Sequence, residues 1–342
     1  EGTPPRQPHR IALLARELRH PEIHLTQARP RPRPPRLHTG IPVPSTPATS
    51  RTTPSVTSAT TPRRTSRAQR MSPKMPASAT PMASATATQP SGIVSMAARV
   101  ERGEDQLSGV DAAVWEFVPT PRISSYITAL VAGPYAAVHS ELTSADGRTI
   151  PLGVYCRASL VEHLDADNVF ELTRQGFEFF EAQYGHAYPF EKYDQLFVPE
   201  FNAGAMENAG CVTFLESYVF RGTVPEALIE RRAITILHEL AHMWFGDLVT
   251  MRWWNDLWLN ESFAEFMSTL AAAENTQYTG AWTTFSSMEK NWAYRQDQLS
   301  STHPIKARIR DLDDVLVNFD GITYAKGASV LRQLVAWVGQ EN

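Results

Sequence analysis

Two histidines four residues apart, His238 and His242, constrain the folding of this chain more than any other feature. On a helix, positions i and i+4 share one face, so both imidazoles can reach one metal ion. Glu261 follows after eighteen residues, and two histidines with a distant carboxylate leave a fourth coordination position open, as in catalytic zinc sites. The spacing therefore predicts one zinc ion bound by these three side chains. Glu239, beside the first histidine, is predicted to be the general base that activates water.

The alternative is an amphipathic helix with two solvated histidines, and the local sequence favours the metal site. Thr223 and Glu226 flank a segment with Pro225, a pattern typical of a helix start with threonine as the cap and proline in the first turn. Apolar residues then recur at helical spacing as far as Trp244, and Gly246 favours an end shortly afterwards. One helix is therefore predicted to contain the whole motif.

A second helix is predicted over about residues 261–274, which would place Glu261 in its first turn, facing the first helix. Its buried face would consist of apolar residues: Phe263, Phe266, Met267 and Leu270. Glu265 lies one turn further along the same side, where it either supports a histidine ligand or is solvated. The same two alternatives are open for Asp256 and Asn260.

A second motif lies about thirty residues upstream of the histidines: Gly204-Ala205-Met206-Glu207-Asn208. Together, Gly-Ala-Met-Glu-Asn and His-Glu-x-x-His-x18-Glu resemble the double signature of the aminopeptidase N family of zinc metallopeptidases. Further segments agree with this resemblance: residues 188–190, 244–250, 258–261 and 321–328. The resemblance covers roughly residues 115–342 and is closest to bacterial, especially actinobacterial, members. One departure is Ser262, where many relatives carry glycine, and no consequence for the chemistry is expected.

The resemblance assigns roles to residues at matching positions. Glu207 is expected to bind the free α-amino group of a substrate, since a buried carboxylate is costly unless it meets a cation. The rest of the motif is expected to contact the substrate too: Gly204, Ala205, Met206 and Asn208. Tyr324 is expected to donate a hydrogen bond to the oxyanion of the tetrahedral intermediate. Without the resemblance, Glu207 would be interpreted as a solvated carboxylate and Tyr324 as an ordinary aromatic residue.

The resemblance also implies an α+β fold. Residues 156–342 are expected to form a thermolysin-like zinc peptidase catalytic domain, truncated at its C-terminus because family members continue for hundreds of residues. Residues 93–155 are expected to hold a linker, over residues 93–109, and then a remnant of a β-rich N-terminal domain.

Several elements are predicted from periodicity in this folded part: strands over residues 125–130 and 136–142, a turn at Asp146-Gly147, and a helix over about residues 165–184. Residues 194–215 are predicted to form a strand pair that carries Glu207 along its edge. Such an edge could bind an extended substrate as an added strand.

Residues 1–92 differ in composition from the rest of the chain. They contain no Phe, Trp or Tyr, 17 of the 25 prolines, and 14 Lys and Arg against 3 Asp and Glu. Such a segment cannot bury a hydrophobic core and is predicted to be a disordered tail. Three interpretations are open: a basic arm for nucleic acid or an anionic surface, a passive linker, or sequence from a misread coding frame. The lack of aromatic residues argues against the first, and the composition favours the last.

Nothing in the sequence indicates export or membrane insertion. No secretory signal is recognisable, and no segment approaches the roughly 18 apolar residues of a membrane span. Cys156 and Cys211 are too few for a disulfide framework or a cysteine zinc site, so they are predicted to be small buried residues. We expect a cytoplasmic protein without nucleic-acid or membrane partners, and the sequence does not predict its oligomeric state.

The predicted function is a zinc aminopeptidase that acts on peptides with a free N-terminus. A zinc endopeptidase with the same mechanism is an alternative, and Glu207 argues against it. A second alternative is a truncated, catalytically incompetent zinc-binding fragment, which the missing C-terminal scaffold favours for the chain as it stands.

Overall fold

The computed structural model describes residues 85–87, 93–95, 99–107, 110–117 and 119–340. Apart from Ala85–Ala87, the tail predicted over residues 1–92 lies outside these ranges, so its disorder stays a prediction. Within the described ranges, strands dominate the N-terminal part and helices the C-terminal part, in agreement with the predicted α+β class.

Five strands precede the main sheet: β1 (Ala85–Ala87), β2 (Ile93–Ser95), β3 (Arg99–Leu107), β4 (Val110–Phe117) and β5 (Leu130–Ala132). β4 lies between β1 and β3 in an antiparallel sheet, and β2 pairs antiparallel with β5. Strands β2 and β3 lie within residues 93–109, where the sequence predicts a linker. β3 is rich in charged residues, so it lacks the apolar alternation that indicates a strand.

The strand predicted over residues 125–130 is largely absent. Ser125–Ile127 instead forms a single 3₁₀ turn, closed by a hydrogen bond from the Thr128 N–H to the Ser125 carbonyl. Ile127 is fully buried at this turn, so its burial, rather than strand pairing, accounts for the apolar residue in the pattern. The turn brings Tyr126 toward the centre of the molecule, as described below.

The main sheet has five strands: β6 (Tyr135–Thr143), β7 (Thr149–Arg157), β8 (Tyr193–Val198), β9 (Ala205–Met206) and β10 (Cys211–Leu215). Their spatial order is β6-β7-β8-β10-β9, with β7, β8 and β10 parallel and the two outer strands antiparallel to their neighbours. The predicted turn between β6 and β7 is confirmed, because Gly147 has a φ of 85° and its N–H donates to the Ser144 carbonyl. Residues 194–215 contain parts of three strands rather than the predicted pair, and Glu207 directly follows the edge strand β9.

The described residues form seven α-helices, of which the first lies between β7 and β8 and the others follow the sheet: α1 (Ala166–Tyr184), α2 (Glu226–His242), α3 (Leu257–Asn275), α4 (Ala281–Ser287), α5 (Glu289–Asp297), α6 (Leu312–Val317) and α7 (Gly327–Val338). Helix α1 agrees with the helix predicted over residues 165–184. Among the described helices, none combines the length and the apolar character that a membrane crossing requires.

Helix α2 begins and ends closer to the histidines than the sequence predicts. Pro225 precedes it with an extended backbone (φ −57°, ψ 145°), and no side chain caps the N-terminus, so the predicted threonine cap is wrong. The helix ends at His242 rather than near Gly246. Beyond it the Trp244 N–H bonds only three residues back, to the Ala241 carbonyl, and the Gly246 N–H bonds forward to the Val249 carbonyl.

Helix α3 begins four residues earlier than predicted. A 3₁₀ turn at Trp254–Asp256 leads directly into it, and Leu257 already contributes a buried side chain. Glu261 therefore lies in the second turn of α3, not the first, and remains on the side that faces α2.

Helices α1, α2 and α3 pack together and share one hydrophobic core with the main sheet. Gly176 permits the close approach of α1 to α2: a Cβ atom there would lie 2.6 Å from a Leu240 methyl and 2.8 Å from a Leu237 methyl. Leu237 and Leu240 lie on the side of α2 roughly opposite the two histidines, so α1 supports the helix from behind the motif. The contact with α1 therefore helps to set the position of the metal-binding motif.

Candidate metal centre

Helices α2 and α3 bring the three predicted metal ligands together, and all three side chains are buried. Glu261 Oε2 lies 3.4 Å from Nε2 of His238 and 3.4 Å from Nε2 of His242. The two Nε2 atoms are 3.1 Å apart. Ligand atoms about 2.0–2.1 Å from one tetrahedral zinc ion are separated by about 3.3 Å. The donor set therefore fits a zinc ion in both chemistry and spacing.

Each histidine is oriented through its second ring nitrogen. Glu265 Oε2 lies 3.3 Å from Nδ1 of His238, and the carbonyl oxygen of Phe245 lies 3.0 Å from Nδ1 of His242. A hydrogen bond of this kind fixes the tautomer and leaves Nε2 free to bind a metal. Of the two alternatives for Glu265, the structure has the one in which it supports a ligand, whereas Asp256 pairs with the exposed Lys306.

The buried charges shift the pKa values of the cluster. Burial disfavours the protonated form of His238, but the carboxylates of Glu261 and Glu265 raise its pKa to about 9. Burial also disfavours ionised Glu261, yet the two histidines hold the pKa of this carboxyl well below its usual range. Burial raises the pKa of Glu239 to about 7, against the opposing influence of the histidines. Glu261 is therefore in the ionised form that a metal ligand requires.

Glu207 follows the edge strand β9 and extends its carboxylate toward the same centre. Its Oε1 atom accepts hydrogen bonds from the Tyr126 hydroxyl at 3.0 Å and from Asn260 Nδ2 at 3.1 Å. Asn260 Nδ2 also lies 3.2 Å from Glu261 Oε1, so one amide contacts both carboxylates. The alternative in which Asn260 is a solvated surface residue is therefore wrong.

A cavity of about 520 Å³ opens above the ligands. Four residues of the second motif line one wall: Gly204, Ala205, Met206 and Glu207. Asn208 does not line it, contrary to its predicted role in substrate binding. Its Nδ2 donates to the Ile127 carbonyl at 3.1 Å, and its Oδ1 accepts from the Thr213 hydroxyl at 2.8 Å. Both polar ends of the Asn208 side chain are thus used to hold the β9–β10 connection.

Tyr324 lies across the cavity in a π-helical turn, Ile322–Lys326. Its ring stacks on that of His238, with centroids 5.8 Å apart and 14° between the planes. Burial, followed by the charge of Glu261 and of the other nearby carboxylates, raises the pKa of Tyr324 well above its usual value. The phenol therefore keeps its proton and can donate a hydrogen bond into the cavity.

Asp320 holds the start of this π-helical turn. Its Oδ1 accepts hydrogen bonds from the backbone N–H groups of Ile322 and Thr323, each at 3.0 Å. Its Oδ2 lies 2.9 Å from Nε2 of His303. Asp320 thus caps the π-helical turn that carries Tyr324, and His303 contacts the Asp320 carboxylate.

Three residues at the site were not predicted from the sequence: Tyr126, Arg231 and Glu289. Tyr126 reaches Glu207 from a turn that precedes it by 81 residues, and no local pattern indicates such a contact. Arg231 and Glu289 form an ion pair at the cavity wall, with 2.5 Å between Nη1 and Oε1. Arg231 lies one turn before Thr235 on α2, so helical spacing from the motif could have placed it near the cavity.

Comparison with known proteins identifies the family. The Peptidase family M1 domain matches residues 169–342. Over 230 residues the chain is 69% identical to "Aminopeptidase N" of Streptomyces lividans, covering 67% of this chain and 27% of that protein. It is 40% identical over 233 residues to "Tricorn protease-interacting factor F2" of Thermoplasma volcanium, covering 68% and 29% of the two chains. It is 39% identical over 233 residues to "Leucyl aminopeptidase" of Saccharolobus solfataricus, covering 67% and 28%.

The aligned part thus spans 27–29% of the length of these relatives. The matched segment, residues 169–342, contains all of α2 and α3 and the π-helical turn, and hence every proposed metal ligand. Both the family domain and the similarity to an aminopeptidase N agree with the resemblance drawn from the two motifs. The chain belongs to peptidase family M1, the aminopeptidase N family.

Proposed function

We propose that this chain carries the catalytic centre of a zinc-dependent aminopeptidase, which hydrolyses the N-terminal residue from peptides. The observation that carries this proposal is the environment of Glu207. Its carboxylate is buried beside the three-ligand cluster and accepts hydrogen bonds from neutral donors, with no lysine or arginine partner among the described residues. A buried carboxylate is costly without a cation. The α-ammonium group of a peptide would supply that cation.

His238, His242 and Glu261 would hold the zinc ion. When bound, zinc acts as a Lewis acid toward a carbonyl oxygen and lowers the pKa of a water molecule. Glu239 adjoins the first ligand, and a carboxylate oxygen of Glu239 lies within 4.8 Å of one from Glu207 and of a ring nitrogen of His242. Glu239 would accept the proton of the attacking water and return it to the leaving amine.

Two further groups of the chain would act on the substrate. The Tyr324 hydroxyl would donate a hydrogen bond to the oxyanion of the tetrahedral intermediate, where charge develops. Strand β9 would pair with the extended substrate, while Glu207 holds its amino group, so that the first peptide bond lies at the metal centre. A peptide that lacks the free amine would lose its contact with Glu207.

The names of two relatives, "Aminopeptidase N" and "Leucyl aminopeptidase", support this reaction class. Because the chain spans little more than a quarter of each, the activity and substrates of those whole proteins are proposals for this chain. We also propose a thermolysin-like arrangement of the catalytic domain, supported by the mixed sheet with its antiparallel edge strand beside α2 and α3. A cytoplasmic location is a further proposal, supported by two buried cysteines that form no disulfide.

Hydrolysis of leucyl or alanyl arylamide by the purified chain with zinc tests the proposal, beside the same arylamide N-acetylated. We expect cleavage of the free-amine substrate alone. Cleavage of both would indicate an endopeptidase-like site that does not need the amine. Cleavage of neither would support the alternative of a catalytically incompetent zinc-binding fragment.

A further inference from the structure

A buried hydrogen bond joins α3, the helix that carries Glu261, to the turn that carries Tyr324. Ser262 follows the ligand Glu261 on α3, and its side chain is fully buried. Its hydroxyl donates to the carbonyl oxygen of Thr323 at 2.5 Å, and Thr323 directly precedes Tyr324. The bond therefore joins the residue next to Glu261, a proposed metal ligand, to the residue next to Tyr324, the proposed oxyanion donor.

Packing holds the Ser262 hydroxyl in place. A Cβ atom at Gly327 would overlap Ser262 Oγ and would lie 2.8 Å from its Cβ, so the Ser262 side chain packs directly against the backbone of Gly327. Gly327 closes the π-helical turn, because its N–H donates to the Ile322 carbonyl, five residues earlier. A larger side chain at either position would separate α3 from the turn.

The π-helical turn is held by side chains at two places. Asp320 caps its first N–H groups from outside, and Ser262 binds the Thr323 carbonyl from α3. A π turn is rare and occurs mainly where function maintains it, so its geometry depends on such supports. Of these two residues, only Ser262 attaches the turn to α3, the helix that carries Glu261.

We propose that Ser262 is a positioning residue, which sets the Tyr324 hydroxyl relative to Glu261 through the Thr323 carbonyl. This inference rests on the proposed function, in which Tyr324 contacts the reacting carbonyl. It replaces the expectation that a serine at this position, where the sequence departs from the family resemblance, has no consequence for the chemistry.

Ser262→Ala removes the hydroxyl while it keeps the helix-forming backbone, which Ser262→Gly would not. Because the oxyanion forms only in the transition state, misplacing Tyr324 should lower kcat and leave substrate binding nearly unchanged. We expect kcat for leucyl arylamide to fall about 3- to 10-fold, with KM within about twofold of its original value. Ser268→Ala is the matched control, since Ser268 is equally buried on α3 but bonds only to the Glu265 carbonyl of its own helix.

A double-mutant cycle with Tyr324→Phe separates positioning from a general structural role. If Ser262 acts through the Tyr324 hydroxyl, Ser262→Ala should cause no further loss of kcat in a Tyr324→Phe background. If Ser262→Ala lowers kcat by the same factor in both backgrounds, the residue acts independently of Tyr324 and the inference is overturned.

Amide hydrogen exchange of the metal-free chain gives a second measurement that needs no activity. Ser262→Ala should increase exchange in peptides that span residues 322–328 by about tenfold, whereas Ser268→Ala should not. Unchanged exchange in this segment would overturn the inference. If exchange increases but the unmodified chain cleaves no arylamide, the proposed function fails while the Ser262 tie to the turn stands.

Discussion

Glu265 Oε2 lies 3.3 Å from Nδ1 of His238, the ring nitrogen that does not face the other metal ligands. The two residues come from different helices, so this contact ties α3 to α2 a second time, beyond the ligand Glu261. A carboxylate in this position fixes the ring and increases the basicity of the ligating nitrogen. The strength of metal binding should therefore depend on a residue that is not itself a ligand.

Replacing Glu265 with alanine should weaken zinc binding by about 10- to 100-fold, because His238 loses the acceptor that orients it. The affinity can be measured by competition with a chromophoric chelator. Glu274→Ala is the control, since Glu274 is exposed on the same helix. Equal affinities for the two variants would contradict the supporting role of Glu265.

Tyr126→Phe should raise KM for leucyl arylamide by about tenfold, since hydrogen bonds to charged groups contribute roughly 1.5 kcal/mol or more. Without the hydroxyl, Glu207 keeps only Asn260 as a donor to Oε1 and is held less firmly for the substrate amine. Steady-state kinetics measure the effect. Tyr294→Phe, a change of the same kind at an exposed position, should leave KM unchanged. An unaltered KM in Tyr126→Phe would show that this hydroxyl does not support the amine site.

The two histidines of the proposed metal site could be predicted from the sequence because their spacing is dictated by helix geometry. His238 and His242 must share a face at a separation of four residues, and no tertiary information is needed. The role of Tyr324 could be predicted only from the family resemblance. The role of Tyr126 could not be predicted from the sequence, since its contact with Glu207 depends on how a 3₁₀ turn packs against a distant strand edge.

Boundaries of the helices were less predictable than their faces. The sequence is compatible with Pro225 either in the first turn of α2 or just before it. Its extended ψ of 145° shows that it precedes the helix. Asn208 lies inside a functional motif, yet its side chain bonds to the Ile127 carbonyl and the Thr213 hydroxyl instead of lining the cavity. A motif therefore predicts where a site lies better than it predicts the task of each member.

Gly176→Ala should destabilise the fold by about 1–3 kcal/mol, as overpacking of a close-packed core does. The added methyl would lie 2.6–2.8 Å from the methyl groups of Leu240 and Leu237, so α1 and α2 would have to separate. Urea denaturation measures the free energy of unfolding. Gly222→Ala is the control, because a Cβ there meets nothing within 4 Å. A Gly176→Ala variant as stable as that control would contradict the described contact.

Cys211 should not react with iodoacetamide at pH 8 in the folded chain. Burial raises the pKa of its thiol to about 12, so only about one thiol in ten thousand is ionised at that pH. Since the pKa is raised on folding, the contribution of this thiol to stability is present below its unfolded pKa and is lost as the pH rises toward 12. Mass spectrometry should find alkylation of Cys211 in 8 M urea only. Rapid labelling of the native chain would contradict its burial.

Glu239→Ala separates zinc binding from proton transfer at the proposed zinc site. Zinc content and leucyl arylamide hydrolysis should be measured on the same sample, beside His238→Ala. We expect Glu239→Ala to keep its zinc but to lose about 10²- to 10⁴-fold in turnover, whereas His238→Ala should lose both zinc and activity. Full activity of Glu239→Ala with zinc bound would show that Glu239 is not the general base.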